Sequence, residues 1–160
     1  MMKWGENIEK FIKLANKHRV KMIMIGGGAV NFHGYQRHSA DVDFWIDVTQ
    51  ANMDNLKDVF NEMGYKIEQF PEEVIAKMQN ISIKFSPYDL DLELITKFSI
   101  NKTFDEAYLE SEEENIKGEE LLRWKVLSFE DLITSKIKSS RPKDLLDIQQ
   151  LKLKNNNNKK

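Results

Sequence analysis

Two carboxylates, Asp41 and Asp43, stand one residue apart in DVDFWIDV, a run in which acid and apolar residues alternate. In an extended strand successive side chains point to opposite faces, so Asp41, Asp43, Trp45 and Asp47 share one face and Val42, Phe44, Ile46 and Val48 the other. Positions i and i+2 lie about 6.5–7 Å apart along a strand, near enough for both carboxylates to lean onto ions held between them. Hard divalent cations take oxygen ligands, and Mg²⁺ is commonly held by one or two carboxylates together with substrate phosphates. Upstream, the apolar run Met22 to Ile25 stops at Gly26, Gly27 and Gly28. Residues without Cβ let the backbone turn sharply and let a phosphate reach its N–H groups. The Ala29-Val30-Asn31-Phe32 that follows would present a helix N-terminus to the anion. Metal and phosphate chemistry can therefore meet between Met22 and Val48.

A third acid is available further on. Ile81 to Phe85 and Leu90 to Ile95 flank Ser86-Pro87-Tyr88-Asp89, which reads as a β-hairpin. In its second arm Asp89, Asp91 and Glu93 share a face; Asp91, in mid-strand, is preferred as the third carboxylate, with Asp89 and Glu93 equally compatible by parity. Two metal ions among such acids can activate an attacking hydroxyl and stabilise a leaving pyrophosphate oxygen. Arg37 could clamp triphosphate oxygens bidentately or pair with an acid such as Asp43. Other chemistries fit less well. The glycines are not followed by Gly-Lys-Ser/Thr, and Asn31 stands where a dinucleotide fingerprint needs its last glycine. His18, His33 and His38 have no zinc spacing, and the absence of cysteine removes thiolate sites, disulfides and cysteine nucleophiles.

The joint pattern Gly26-Gly27-x-Ala29, Gly34, Arg37, Ser39, Asp41-x-Asp43 resembles the signature of the nucleotidyltransferase (polymerase β-like) superfamily, and more narrowly its small AbiEii-type toxin-related members. Ser39 stands where relatives usually carry Thr, so the hydroxyl is kept. The resemblance implies a minimal nucleotidyltransferase fold and transfer of a nucleoside monophosphate to an acceptor hydroxyl with release of pyrophosphate. In that scheme Asp41, Asp43 and Asp91 hold Mg²⁺, as two ions with Mn²⁺ as a substitute, and Asp91 deprotonates the acceptor. Gly26, Gly27, Arg37 and Ser39 meet the nucleotide. A late Lys followed by Arg-x-Lys-Asp-x-x-Asp, here Lys136 and Arg141 to Asp147, is also similar, and implies Lys136 as a triphosphate contact. The implied acceptors are an RNA 3′ end, a protein side chain or a small molecule. A catalytically silent member would instead be a binding partner, for example in a toxin–antitoxin pair.

These residues need a scaffold. Ile8, Phe11, Ile12 and Ala15 give an amphipathic helix over Asn7 to His18, and Lys21 to Ile25 a strand. Thr49 caps a helix that Gly64 stops, and Tyr65 to Gln69 returns as a strand, making β-α-β-α-β in the first seventy residues. After a short helix at Pro71 and the hairpin, Thr103-x-x-Glu106 is a capping box for a helix through Glu110, and Glu110 to Glu114 reads as a solvated helix end or loop. Leu121 to Leu127 reads as a short strand, followed by helices over Phe129 to Ser139 and Pro142 to Leu153, split at Pro142. In the last of these Leu145, Ile148 and Leu151 are expected to pack the core, with Asp144 and Asp147 solvated. The fold class is α/β (α+β): a short mixed sheet flanked by helices, as one domain over residues 1–153, with 154–160 a disordered Asn/Lys tail.

The 41% hydrophobic and 31% charged composition is that of an ordinary globular domain, and no apolar run approaches eighteen residues. A cytoplasmic location and no membrane partner are expected. The net charge of −2 argues against a module that wraps duplex nucleic acid, since such proteins carry a basic excess. No large accessory domain to read a macromolecule is expected, so a small acceptor, a second copy of the chain or a partner subunit would complete the site.

Overall fold

The computed structural model describes residues 5–36 and 38–158. Six strands form one mixed sheet: β1 (Met22–Ile25), β2 (Asp41–Ile46), β3 (Ile81–Ile83), β4 (Asp91–Ile95), β5 (Glu112–Ile116) and β6 (Glu119–Val126). Their order is β3-β4-β2-β1-β6-β5. The central β1 and β2 run antiparallel, while β2 pairs with β4 and β1 with β6 in parallel. Hairpin partners β3 and β5 close the two edges. Among the described residues no helix is long and apolar enough to cross a membrane. The α/β class with a short mixed sheet and C-terminal helices is thus the observed architecture.

One face of the sheet is the core face. Val42, Phe44, Leu92 and Leu94 are fully buried on it. Helices α1 (Glu6–Lys17) and α3 (Gln50–Glu62) cover it, with the Phe11 ring 6.3 Å from Phe44 and 6.0 Å from Phe60. Both helices follow their apolar spacing, and Thr49 caps α3 by accepting from the Asn52 N–H. Buried Asn52 then ties three elements: its Oδ1 accepts from the Lys21 N–H at 2.7 Å, and its Nδ2 donates to the Lys21 and Asp47 carbonyls at 3.0 and 2.6 Å. Backbone groups where β1 starts and β2 ends are thereby satisfied in the interior.

The other face is open at one end and covered at the other. Asp41 and Asp43 lie at its open end. Two residues on, Trp45 is buried by Phe98 and by Phe104 of α5 (Phe104–Glu110), at ring distances of 5.2 and 5.1 Å. Helices α6 (Phe129–Ser139) and α7 (Pro142–Asn158) follow β6. His33, at the end of α2 (Gly26–Phe32), donates from Nε2 to the Leu127 carbonyl at 2.7 Å and packs edge-on to Phe129, which joins the glycine-led helix to the start of α6.

Four local expectations need correction. Tyr65 to Gln69 is not a strand. The Asn61 side chain takes both backbone groups of Ile67, donating to its carbonyl at 3.1 Å and accepting from its N–H at 2.7 Å, so no strand partner is needed. The acidic stretch after Glu110 contributes β5, folded onto β6 through Lys117-Gly118, with Gly118 at φ +87. Its charges suit an exposed edge strand, and Glu113 sits opposite Lys125. The β3–β4 hairpin has shorter strands and a seven-residue connection, 84–90, in which Ser86 Oγ accepts from the Tyr88 and Asp89 N–H groups. Lastly, α7 runs to Asn158, into the segment read as a disordered tail, because extending an existing helix costs far less than starting one. The short helix at Pro71 is α4 (Glu72–Ile75).

Candidate active site

The site is built where β1 ends, β2 begins and β4 runs alongside. Register sets Asp43 opposite Ile25, so the glycines follow directly beside it. Gly26 has φ +64, and a Cβ there would come within 2.3 Å of Asp43 Oδ2. Both the left-handed backbone and the close approach demand glycine. The three glycines do not form a separate loop: they are the first turn of α2, which starts directly at the strand end.

Across β2 and β4, Asp41 faces Asp91 and Asp43 faces Glu93. Opposed residues in paired strands share a face, and neighbouring strands lie about 4.8 Å apart, so the four carboxylates form one half-buried acidic patch. The three acids left open by parity on β4 are now distinguishable. Asp89 lies before the strand, where its Oδ2 accepts from Asn7 Nδ2 at 2.9 Å and its Oδ1 is close-packed on Gly5; it anchors the start of α1. Asp91 pairs with Asp41, and its N–H is held by the Ala40 carbonyl at 3.1 Å. Glu93 accepts from Ser82 Oγ at 2.6 Å and stands beside Asp43.

Electrostatics single out Asp43. Burial first, and then the Asp41 and Glu93 carboxylates, push its carboxyl from 3.8 up to about 6, with Lys143 and Lys136 pulling the other way. A half-buried acid among like charges is a group that a cation would relieve. Among the described residues, no three or more His, Cys, Asp or Glu side chains are already drawn together as a metal cage. The donor set nevertheless suits a hard cation, being all carboxylate oxygen, with the glycine turn keeping Cβ atoms clear of Asp43.

The remaining expected site residues divide. Gly27 is buried in the first turn of α2. Ser39 Oγ donates to the Asp41 carbonyl at 2.9 Å, so this hydroxyl positions the entry to β2. Arg37 lies outside the described residues. Lys136 is buried, with Nζ 3.0 Å from Asp147 Oδ2 and 3.3 Å from Asp144 Oδ1. Arg141 forks onto the same Asp144, Nε donating to Oδ2 at 2.7 Å and Nη2 to Oδ1 at 3.2 Å. Burial alone would raise the Asp144 carboxyl; hydrogen bonds from Arg141 and the charge of Lys136 more than offset it and hold it low. The expectation that Asp144 and Asp147 are solvated is therefore wrong. They are the buried stripe of α7 together with Leu151, while Leu145 is 57% exposed. Lys143, which sequence reasoning passed over in favour of Lys136, is exposed and ranks ahead of it in its electrostatic hold on Asp43. Its signal was its place between Arg141 and Asp144 on a helix whose acids point inward.

A family model described as "Nucleotidyltransferase of unknown function (DUF6036)" matches residues 6–158. The chain belongs to this nucleotidyltransferase family. The match spans every element from α1 to α7, so sheet, glycine turn, acidic patch and C-terminal helices fall within the family domain. It carries the superfamily assignment and does not reach the narrower AbiEii-type kinship. No curated protein matches the chain.

Proposed function

We propose that this nucleotidyltransferase is Mg²⁺-dependent, taking a nucleoside triphosphate and transferring its nucleoside monophosphate to an acceptor hydroxyl. The observation that carries the reading is the Asp43 carboxyl, seated against Gly26 and raised to about 6 by burial and by Asp41 and Glu93. Such a cluster is costly to maintain without a cation to share it. Asp41 and Asp43 would hold the ion, with Asp91 completing the set and Glu93 the competing third ligand. When bound, the ion supplies charge neutralisation for the phosphates and lowers the pKa of a coordinated hydroxyl.

The chain's own groups do the rest. Backbone N–H groups of the α2 first turn and the Lys143 ammonium receive the phosphates, while buried Lys136 braces α6 against α7 and adds a fixed positive field. The acceptor oxygen bonds to the α-phosphorus and the bond to the β-phosphate oxygen breaks. Pyrophosphate leaves and the acceptor's proton passes to the β4 carboxylate. Covering of the face by Trp45, Phe98 and Phe104 beyond Asp43 keeps the acceptor at the open end.

Calorimetric titration of each nucleoside triphosphate, with and without Mg²⁺, into the wild type, Asp41→Ala and Asp43→Ala tests the reading. Mg²⁺-dependent binding that both variants lose is expected. A folded wild-type protein that binds no triphosphate would refute it and leave a silent scaffold of the same fold.

A further inference from the structure

A second charged site lies at the opposite end of β1. A cavity of about 260 Å³ opens beside the start of that strand, lined by Arg19, Lys21, Arg123 and Lys125, with Tyr108 and with Glu113 as the one acid in its lining among the described residues. Gly26 follows Lys21 by five steps of extended chain, so the cavity is about 16 Å from the glycine turn at about 3.3 Å per step. Four cations against one carboxylate is a local excess of positive charge in a chain whose net charge is −2.

Fold necessity does not explain the cluster. Parallel pairing sets Ile23 opposite Lys125, which brings Lys21 alongside Arg123 on the same face two residues earlier. Like charges opposed across strands are destabilising unless something answers them. Glu113 answers only weakly, 3.9 Å from both Arg123 Nε and Lys125 Nζ. The ammoniums of Lys21 and Lys125 instead sit 6.0 and 5.6 Å from the centroid of the Tyr108 ring, which holds them apart. The backbones are fixed independently of these side chains: Asn52 binds both peptide groups of Lys21, and Asn16 Nδ2 donates to the Arg123 carbonyl at 2.7 Å. A rigid frame thus brings two lysines and two arginines to the lining of one small cavity, with the Arg123 guanidinium also donating from Nη1 to the Glu120 carbonyl at 3.1 Å. A carboxylate ligand would leave most of that charge unanswered, whereas phosphate oxygens match both the charge and the guanidinium fork.

We propose that this cavity is a phosphate-binding site distinct from the carboxylate patch. Its ligand is a phosphate group, brought either on a single-stranded nucleic acid or as a free phosphoryl compound. The site does not depend on the proposed transfer chemistry.

The test compares the wild type with Lys21→Gln/Arg123→Gln, with Lys66→Gln as an exposed lysine elsewhere, and with Asp43→Asn, after thermal melts show that all are folded. One arm measures binding of a short labelled single-stranded RNA by fluorescence anisotropy over a salt series. The other titrates inorganic phosphate by calorimetry. With nucleic acid as the source, the double variant loses about tenfold in affinity and its log–log salt slope becomes shallower by about 1.4, two contacts at about 0.7 each. Lys66→Gln keeps the wild-type slope. With a free phosphoryl compound as the source, the loss appears in the calorimetric arm alone. If neither arm responds to the double variant, or Lys66→Gln causes the same loss, the inference is overturned. Because Asp43→Asn tests the carboxylates separately, failure of this site and failure of the transferase reading are distinguishable.

Discussion

Asp43→Asn should make the protein more stable and unable to bind nucleotide through a metal. The folded protein protonates Asp43 at about pH 6, whereas the carboxyl ordinarily titrates at 3.8. Between those values the folded state holds a proton that the unfolded chain has released, so this residue's contribution to stability falls as pH rises from about 4 to about 6 and stays low above. The full difference corresponds to roughly 3 kcal/mol at 1.36 kcal/mol per pH unit. Asp43 is only partly withdrawn from water, and screening reduces the figure to about 1–2 kcal/mol. Asparagine keeps the shape and removes the charge. In a protein of this size that predicts a melting temperature about 2–8 °C above wild type at pH 8 in chelator. The gain should shrink through pH 6 and vanish near pH 4, where Asp43 is neutral in both states. Added Mg²⁺ should raise the wild-type midpoint and leave the variant unmoved. Differential scanning calorimetry across pH, with chelator and with Mg²⁺, makes the measurement. A variant less stable than wild type at pH 8, or a gain that persists at pH 4, would refute the reasoning that like charge and burial strain this carboxyl.

Gly26→Ala combines a left-handed backbone cost of about 1–2 kcal/mol with a Cβ driven onto Asp43 Oδ2. Chemical denaturation should show at least that loss, and calorimetry should show Mg²⁺-dependent nucleotide binding abolished. Gly64→Ala is the control, since its positive φ meets nothing within 4 Å; it should lower stability and spare binding. Lys136→Met leaves the Asp144 and Asp147 charges buried without their ammonium and should cost about 3–5 kcal/mol in a urea melt. Lys143→Ala should stay within about 0.5 kcal/mol of wild type in the same melt, yet weaken triphosphate binding about tenfold, the worth of one charge-assisted hydrogen bond. Equal stability losses for the two lysine variants would contradict the division between brace and contact.

Much of the candidate site's geometry was legible in the sequence because it rests on local rules. Strand parity alone put Asp41 and Asp43 on one face and Val42 and Phe44 on the other, and the burial of the latter pair agrees. Parity could not separate Asp89, Asp91 and Glu93, since the choice depends on which residue of a distant strand each one faces. Pairing with β2 selects Asp91 and Glu93, and the hydrogen bond from Asn7 removes Asp89 to a structural role. The β5–β6 hairpin was hidden because an edge strand can be acidic without losing its partner, so its hydrophobic pattern is weak.

The C-terminal helix inverted the usual reading for a related reason. Periodicity assumes that apolar residues face inward, but in α7 the inward stripe includes Asp144 and Asp147. Lys136 from α6 reaches both carboxylates and Arg141 forks onto Asp144, and no pattern within one helix encodes a partner on another. Burying Lys136 then leaves Lys143, one residue before Asp144, on the exposed surface within the field of Asp43. An ion pair whose charges are both withdrawn from solvent fixes the angle at which the next lysine emerges. On this argument the buried triad of Lys136, Asp144 and Asp147 holds α7 in place, and the exposed lysine it carries is the cation that the proposed function sets against the phosphates.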